Sequence, residues 1–318
     1  MRRCRLSAAC HPFGIAAIGL VLTTGACGSA GEPVADPPEA RPARLSVYAV
    51  NGPLAYFADR LGGELVEVGF PVPPGVDPAH WSPDAETVAE LQAADLVLLN
   101  GAGYSGWVSR VSLPAAGLVD TSAGLATRLI PLRESVTHTH GPGGEHSHVA
   151  WAATTWLDPD LARSQAAAVR DALARALPAE DAAIGGRFER LSADLAALDD
   201  AQSAALAKHR ARPLLFSRPV YQYLIRRYEL EARSLDWTVD AMPEEADWRE
   251  LESLVGETDA ATMIWDTEPS REIAERLAAM GLSVVVYDPG GNPPAGTDWL
   301  SLMRANVAAL ARSAPGRG

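Results

Sequence analysis

At 318 residues, 47% hydrophobic and 21% charged, the chain has the composition of a globular protein with room for two lobes of roughly 100–150 residues, and not that of collagen, a coiled coil or a disordered tail. Asp and Glu number 40 against 27 Lys and Arg, and the resulting net charge of −13 repels phosphate backbones, so nucleic acid is excluded as a partner. No apolar run beyond residue 30 approaches the roughly 20 residues that a membrane-spanning helix needs.

Arg2, Arg3 and Arg5 precede an apolar stretch from Phe13 to Leu22 and then small residues, the pattern of a secretory signal over residues 1–26. The run Leu22-Thr23-Thr24-Gly25-Ala26-Cys27 is similar to a bacterial lipobox, with Thr24 where that motif usually has Leu. It predicts an exported chain held to the bacterial membrane by a lipid on Cys27, on the cell surface or the periplasmic face. Cleavage would remove three Arg and no acid, taking the charge from −13 to −16, and would also remove Cys4 and Cys10. With Cys27 acylated no thiol is left, so any metal falls to His, carboxylate or carbonyl ligands. Residues 27–43, with Pro33, Pro37, Pro38 and Pro42, read as an extended tether.

An N-terminal α/β lobe is expected over 44–157. Leu45 to Val50 reads as a strand, Pro53 to Leu61 as a helix stopped by Gly62-Gly63, and Leu65 to Phe70 as a second strand. After a Pro-rich loop, Asp84 to Ala94 has helical spacing and Asp95 to Asn100 is a buried strand; Tyr104 to Val111 then reads as a short helix and Leu118-Val119 as a short strand. Residues 158–209 are rich in Ala, Leu and Arg and predict a rigid connector of two long helices, broken near Leu177-Pro178 and weakly at Gly185-Gly186, with His209 as a capping or surface residue at its end. A second lobe over 210–318 repeats the alternation. Its strands are Pro213 to Phe216, Glu231 to Leu235, Thr262 to Trp265 and Ser283 to Tyr287; its helices are Val220 to Tyr228, Glu244 to Leu254, Ser270 to Met280 and Asp298 to Ala311. The predicted fold is therefore two α/β lobes with mostly parallel sheets joined by a helical spine, with ligands expected at the carboxyl ends of strands between the lobes. Eight Trp are present, of which Trp81 and Trp237 sit in loops where stacking on a ligand competes with the packing role expected for the set.

The densest chemical signal is His138-Thr139-His140-Gly141-Pro142-Gly143-Gly144-Glu145-His146-Ser147-His148, within a His-rich loop over 137–148. Two His-x-His pairs flank a Gly/Pro turn that can fold them towards each other, and neutral imidazole is a good zinc ligand. The glycines predict a loop that is disordered without ligand, so its affinity should fall below that of a preformed cage. Nothing matches a phosphate loop, a metalloprotease helix or a nucleophile elbow, and no enzymatic activity is expected.

Several strings carry a resemblance over about residues 45–312: Pro73-Pro74-Gly75-Val76-Asp77-Pro78 with Trp81-Ser82-Pro83, Ala94 through Tyr104 with Trp107-Val108, Trp156-Leu157-Asp158-Pro159, Ser217-Arg218-Pro219 with Tyr223 to Tyr228, and Ile264 to Pro269. Together they resemble the zinc and manganese substrate-binding lipoproteins of ABC transporters. The resemblance implies a monomeric, exported protein that captures a divalent metal, zinc first and manganese second, and hands it to an ABC permease. It also implies a cleft cage of three His and one carboxylate. The chain departs from that cage, since Ala79 stands at the first His position with His80 one place later, Thr154 at the second and Arg218 at the third, while Glu268 and Asp288 retain the acidic positions.

His80 is balanced between a ligand and an ordinary loop residue. Arg218 cannot ligate a metal, and its fixed charge a few ångströms from a dication amounts to several kcal/mol of repulsion at an effective dielectric of about 20. It either pairs with Glu268 or Asp288, leaving metal to His80 and the loop, or refits the cleft for an anionic or chelated ligand. A degenerate relative serving as a metal buffer, sensor or adhesion protein is the alternative to transport.

Overall fold

Short apolar runs bounded by Asn, Gly and Pro form parallel strands here, and each is followed by a helix or turn that returns the chain to the same edge of its sheet. The computed structural model describes residues 44–132, 136–139, 145–148, 150–238 and 241–313, within one unit spanning Ala43–Gly318. The signal segment, the tether and Cys27 lie outside the described residues.

The elements in chain order are β1 (Leu45–Ala49), α1 (Gly52–Gly62), β2 (Val66–Gly69), α2 (Ala85–Ala93), β3 (Leu96–Leu99), β4 (Leu118–Asp120), the antiparallel ribbon β5 (Val136–Thr139) and β6 (Glu145–His148), and the spine helices α3 (Pro159–Ala176) and α4 (Asp181–Ala207). They continue as β7 (Leu214–Phe216), α5 (Gln222–Arg227), β8 (Ala232–Ser234), α6 (Glu245–Thr258), β9 (Thr262–Trp265), α7 (Arg271–Ala279), β10 (Ser283–Val286) and α8 (Trp299–Arg312). The first sheet runs β2-β1-β3-β4 and the second β10-β9-β7-β8, and every pairing in both is parallel. Side-chain caps set several helix starts: Asn51 accepts from the Leu54 amide, Asp84 from Thr87, Asp158 from Asp160, and Asp298 from Ser301.

Three local expectations are corrected. The segment from Tyr104 forms only a 3-10 turn over Gly106–Arg110, because Gly106 and the β-branched Val108 and Val111 disfavour a regular helix. Gly185-Gly186 does not interrupt α4; two glycines cost about 1 kcal/mol each in a helix, which 27 residues packed along α3 outweigh. His209 is buried, with its Nε2 3.2 Å from Ser313 Oγ, so it fastens the end of α8 to the spine instead of facing solvent.

One apolar core runs from the first sheet through α3, α4 and α8 to the inner face of the second sheet, and includes Leu54, Phe57, Leu161, Val169, Leu191, Phe216, Ile264 and Trp299. A smaller one, around Trp237, Trp248, Trp265 and Leu277, fills the outer face of the second sheet. Trp237 packs edge-on to both Trp248 and Trp265, which makes it a core residue.

Gly101 and Gly103 share a φ of +74° beside the end of β3, but they differ in space. A Cβ on Gly101 would lie 1.8 Å from Ser122 Oγ and 2.2 Å from Asp120 Oδ1, whereas one on Gly103 meets nothing within 4 Å. Gly103→Ala should therefore cost only the positive-φ penalty of about 1 kcal/mol, and Gly101→Ala about 2–3 kcal/mol, measured by denaturant unfolding. Equal losses at the two positions would refute the steric account.

Candidate functional site

The carboxyl ends of β1, β3 and β4 carry Asn51, Asn100 and Thr121, all buried, and a side chain from the spine ties them together. Gln165 on α3 donates from Nε2 to Asn100 Oδ1 (3.1 Å) and Thr121 Oγ1 (3.0 Å), and its Oε1 accepts from Thr155 Oγ1 (2.9 Å). Asn51 Nδ2 donates to Asn100 Oδ1, and Asn100 Nδ2 donates to Ala153 O at 2.8 Å. This satisfied network fixes residues 152–156, which run along the mouth between the two sheets.

From the second sheet, Arg218 and Asp266 lie two residues beyond the paired positions Phe216 and Ile264, so they emerge side by side from β7 and β9. Arg218 Nη1 donates to Asp266 Oδ2 at 2.8 Å, and Nη2 lies 3.4 Å from Asp77 Oδ2, on the Pro-rich loop that follows β2 in the first sheet. Arg218 is therefore ion-paired, but with Asp266 and Asp77 and not with Glu268 or Asp288. Glu268 sits two residues past Asp266, where the chain has left the strand and is exposed. The guanidinium thus joins carboxylates of both lobes.

Burial pulls the Arg218 pKa down, but the hydrogen bond to Asp266 and the charges of Asp266 and Asp77 outweigh it and hold the group above its ordinary value. The Asp266 side chain is only 5% exposed, and its Oδ1 has no hydrogen-bond partner among the described residues. Asp288 follows β10 and is half-buried. Burial pushes its pKa up, the Gly290 amide donating to Oδ1 at 2.7 Å opposes this, and the charge of Asp266 adds to the rise. Tyr104 completes the wall; burial raises its pKa, with Asp77 adding to the rise and Arg218 opposing it.

Among the described residues, the sequence-derived ligands His80, Glu268 and Asp288 do not gather. His80 is exposed on the turn capped by Asp77, whose Oδ1 accepts from the Ala79 amide at 2.9 Å. Among the described residues no group of three or more His, Cys, Asp or Glu is placed to hold a metal ion, so His80, Glu268 and Asp288 form no cage. Thr154 donates through Oγ1 to the Val220 carbonyl. Of the His-rich segment, His140 lies outside the described residues, and only the backbone of His138, His146 and His148 is described. That backbone is an antiparallel ribbon in which His138 pairs with His146 and Val136 with His148, while the glycine turn on which the expectation of disorder rests lies outside the described residues. The ribbon rises from residues 130–132 and 150–152, where Leu132 N donates to Ala150 O at 2.7 Å. Sequence reasoning missed Asp77 and Asp266, although the strand pattern Thr262 to Trp265 placed Asp266 at a carboxyl end.

The family model described as ZnuA, zinc-uptake complex component A, periplasmic, matches residues 47–313. The chain belongs to this family. The zinc-binding lipoprotein AdcA of Streptococcus pneumoniae is 23% identical over 284 residues, covering 86% of this chain and 57% of that protein, so the chain spans little more than half of that relative's length. The high-affinity zinc uptake system protein ZnuA of Bacillus subtilis is 23% identical over 268 residues, covering 83% of this chain and 81% of that one. The Zn(II)-bound ZnuA-like domain of the pneumococcal AdcA superposes with a TM-score of 0.71 at 20% identity, covering 85% of this chain and 98% of that domain, a likeness of fold.

The raised Asp288 pKa has a definite sign in stability. A carboxyl that binds its proton more tightly folded than unfolded stabilises the protein at low pH, and that contribution is lost as pH rises through the folded value. Asp288→Asn keeps an oxygen for the Gly290 amide and removes the buried charge beside Asp266. It should raise Tm at pH 7, with the gain fading as pH falls below the unfolded value of about 4 and gone by about pH 3, where the wild-type carboxyl is protonated in both states. A gain that is the same at both pH values would refute this.

Proposed function

We propose that this chain is an exported solute-binding protein that captures zinc and delivers it to the permease of an ABC importer, and that it does no catalysis. The observation that carries the reading is the family match over residues 47–313, on a fold whose relatives are described as zinc-binding and zinc-uptake proteins. Residues 1–26 act as signal and residues 27–43 as tether, with a lipid on Cys27. A lobe over 44–157, a connector over 158–209 and a lobe over 210–318 carry the binding function, and the protein acts as a monomer. Zinc is the cargo and manganese the second choice, because imidazole is the one nitrogen donor available in number.

His138, His140, His146 and His148 hold the metal. The ribbon register supports this, since His138 is directly opposite His146 and His148 lies two residues along on the same face. The cleft contributes little as it stands, because Arg218 already occupies the space between its acids. The same pairing favours a second reading, a metal buffer that serves no permease, and an adjacent permease and ATPase gene would separate the two.

Replacing the four histidines together by Ala should weaken zinc binding about tenfold or more in calorimetry, and affinity for the unsubstituted chain should fall as pH drops through about 6.5, where imidazole protonates. Unchanged affinity in the quadruple variant would sink the ribbon as the site. Cys27→Ser should release the protein from the membrane fraction of an expressing bacterium or leave its precursor uncleaved; soluble export of the unsubstituted chain would count against the lipid.

A further inference from the structure

We infer that Arg218 is a built-in counter-cation that locks the two lobes together, so that closure of this cleft does not depend on cargo. Asp77 belongs to one lobe and Asp266 and Asp288 to the other, and three acids drawn into a half-dry cleft repel unless a cation lies among them. Arg218 supplies that cation from the chain itself, with one nitrogen on Asp266 at 2.8 Å and the other on Asp77 at 3.4 Å. Its planar fork suits two carboxylates at once, and it keeps its charge at every working pH.

Direct hydrogen bonds between protein groups cross the seam on either side of Arg218. Asn292 Nδ2 donates to the carbonyls of Pro73 and Val76, both at 2.8 Å, which pins the loop bearing Asp77 to the second lobe. The Gly52 amide donates to Gly291 O at 2.7 Å, and Trp156 Nε1 to Pro289 O at 2.6 Å. Contact is close enough that a Cβ on Gly52 would lie 2.3 Å from the Pro293 ring, and one on Gly291 would lie 2.9 Å from the Tyr104 hydroxyl. Backbone, amide and indole groups thus meet partners across the seam directly, and the ion pair neutralises the acids that would otherwise hold it open.

The inference deepens the solute-binding reading, and its test is arranged to stand apart from it. Amide exchange at Gly52, whose acceptor is on the opposite lobe and which touches none of the three charged residues, reports seam opening directly. In chelator-treated protein, Arg218→Ala and Asp77→Asn should each speed that exchange about tenfold, while Arg218→Lys, which keeps the charge but loses the fork, should fall between those variants and the wild type. Asp77→Asn preserves the oxygen that caps Ala79 and changes a side chain that is 40% exposed, so it carries the test if the Arg218 variants fold poorly. Adding zinc to the wild type should leave Gly52 exchange unchanged. Wild-type rates in both Arg218→Ala and Asp77→Asn would overturn the lock, as would a tenfold slowing of the wild type by zinc. Calorimetry on the same samples reports zinc binding separately, so a protein that binds no zinc refutes the proposed cargo and leaves the exchange comparison standing.

Discussion

The arrangement of the cleft depends on one guanidinium placed between carboxylates of two lobes. Asp266 is nearly buried and keeps an oxygen without a partner among the described residues, a state that is tolerated because Arg218 sits on its other oxygen. Without that cation the second lobe would face the first with Asp266 and Asp288 in a low-dielectric gap and Asp77 opposite. Protonation of Asp288, already favoured by burial, could relieve one of these charges but not all three. The charge of the pair is therefore structural in this chain, and it acts between lobes because Asp77 is carried by a loop of the first sheet.

The scaffold holds this pair in place by ordinary means. Parallel strands put their carboxyl ends on one side of each sheet, so loops bearing Asn51, Asn100, Ser217, Asp266 and Asp288 converge without any special device. Gln165 stitches the first set to the spine. The last helix then returns to the start of the chain: Trp299 on α8 meets Phe57 on α1 edge-on at 5.2 Å, while Asn306 on the same helix holds both the amide and the carbonyl of Asp288. Packing between α1 and α8 thus reaches the site through two hydrogen bonds.

Most of the fold was legible because buried parallel strands read as continuous apolar runs, as in Leu96–Leu99 and Thr262–Trp265, and because helix starts carry Asn, Asp or Ser caps. The long helix through Gly185-Gly186 was not, since packing against α3 has no local trace. The site was legible in part. Arg218 stood out by chemistry, as a cation where the resemblance implies a donor to metal. Its partners did not, because a salt bridge between residues 141 positions apart is set by how one loop lies over a strand end, which spacing does not encode. Glu268 was favoured by resemblance, whereas register in the parallel sheet brings Asp266 beside Arg218 and carries Glu268 past the end of the strand.

These observations separate two tasks that a single bound ion can perform at once, holding the cargo and joining the lobes. A cation supplied by the chain can do the second without being released, because Arg218 is part of the chain and paired with acids on both sides. A metal arriving at the same acids would have to displace it and accept carboxylate oxygen from Asp77, Asp266 and Asp288 without an imidazole among them, a donor set that suits hard cations better than zinc. The ribbon that carries His138, His146 and His148 stands on a base that pairs residue 131 with residue 151, next to the segment that Asn100 and Gln165 fix at the cleft mouth. On the proposed reading zinc falls to the ribbon and lobe closure to Arg218, and a change in either can be made without rebuilding the other.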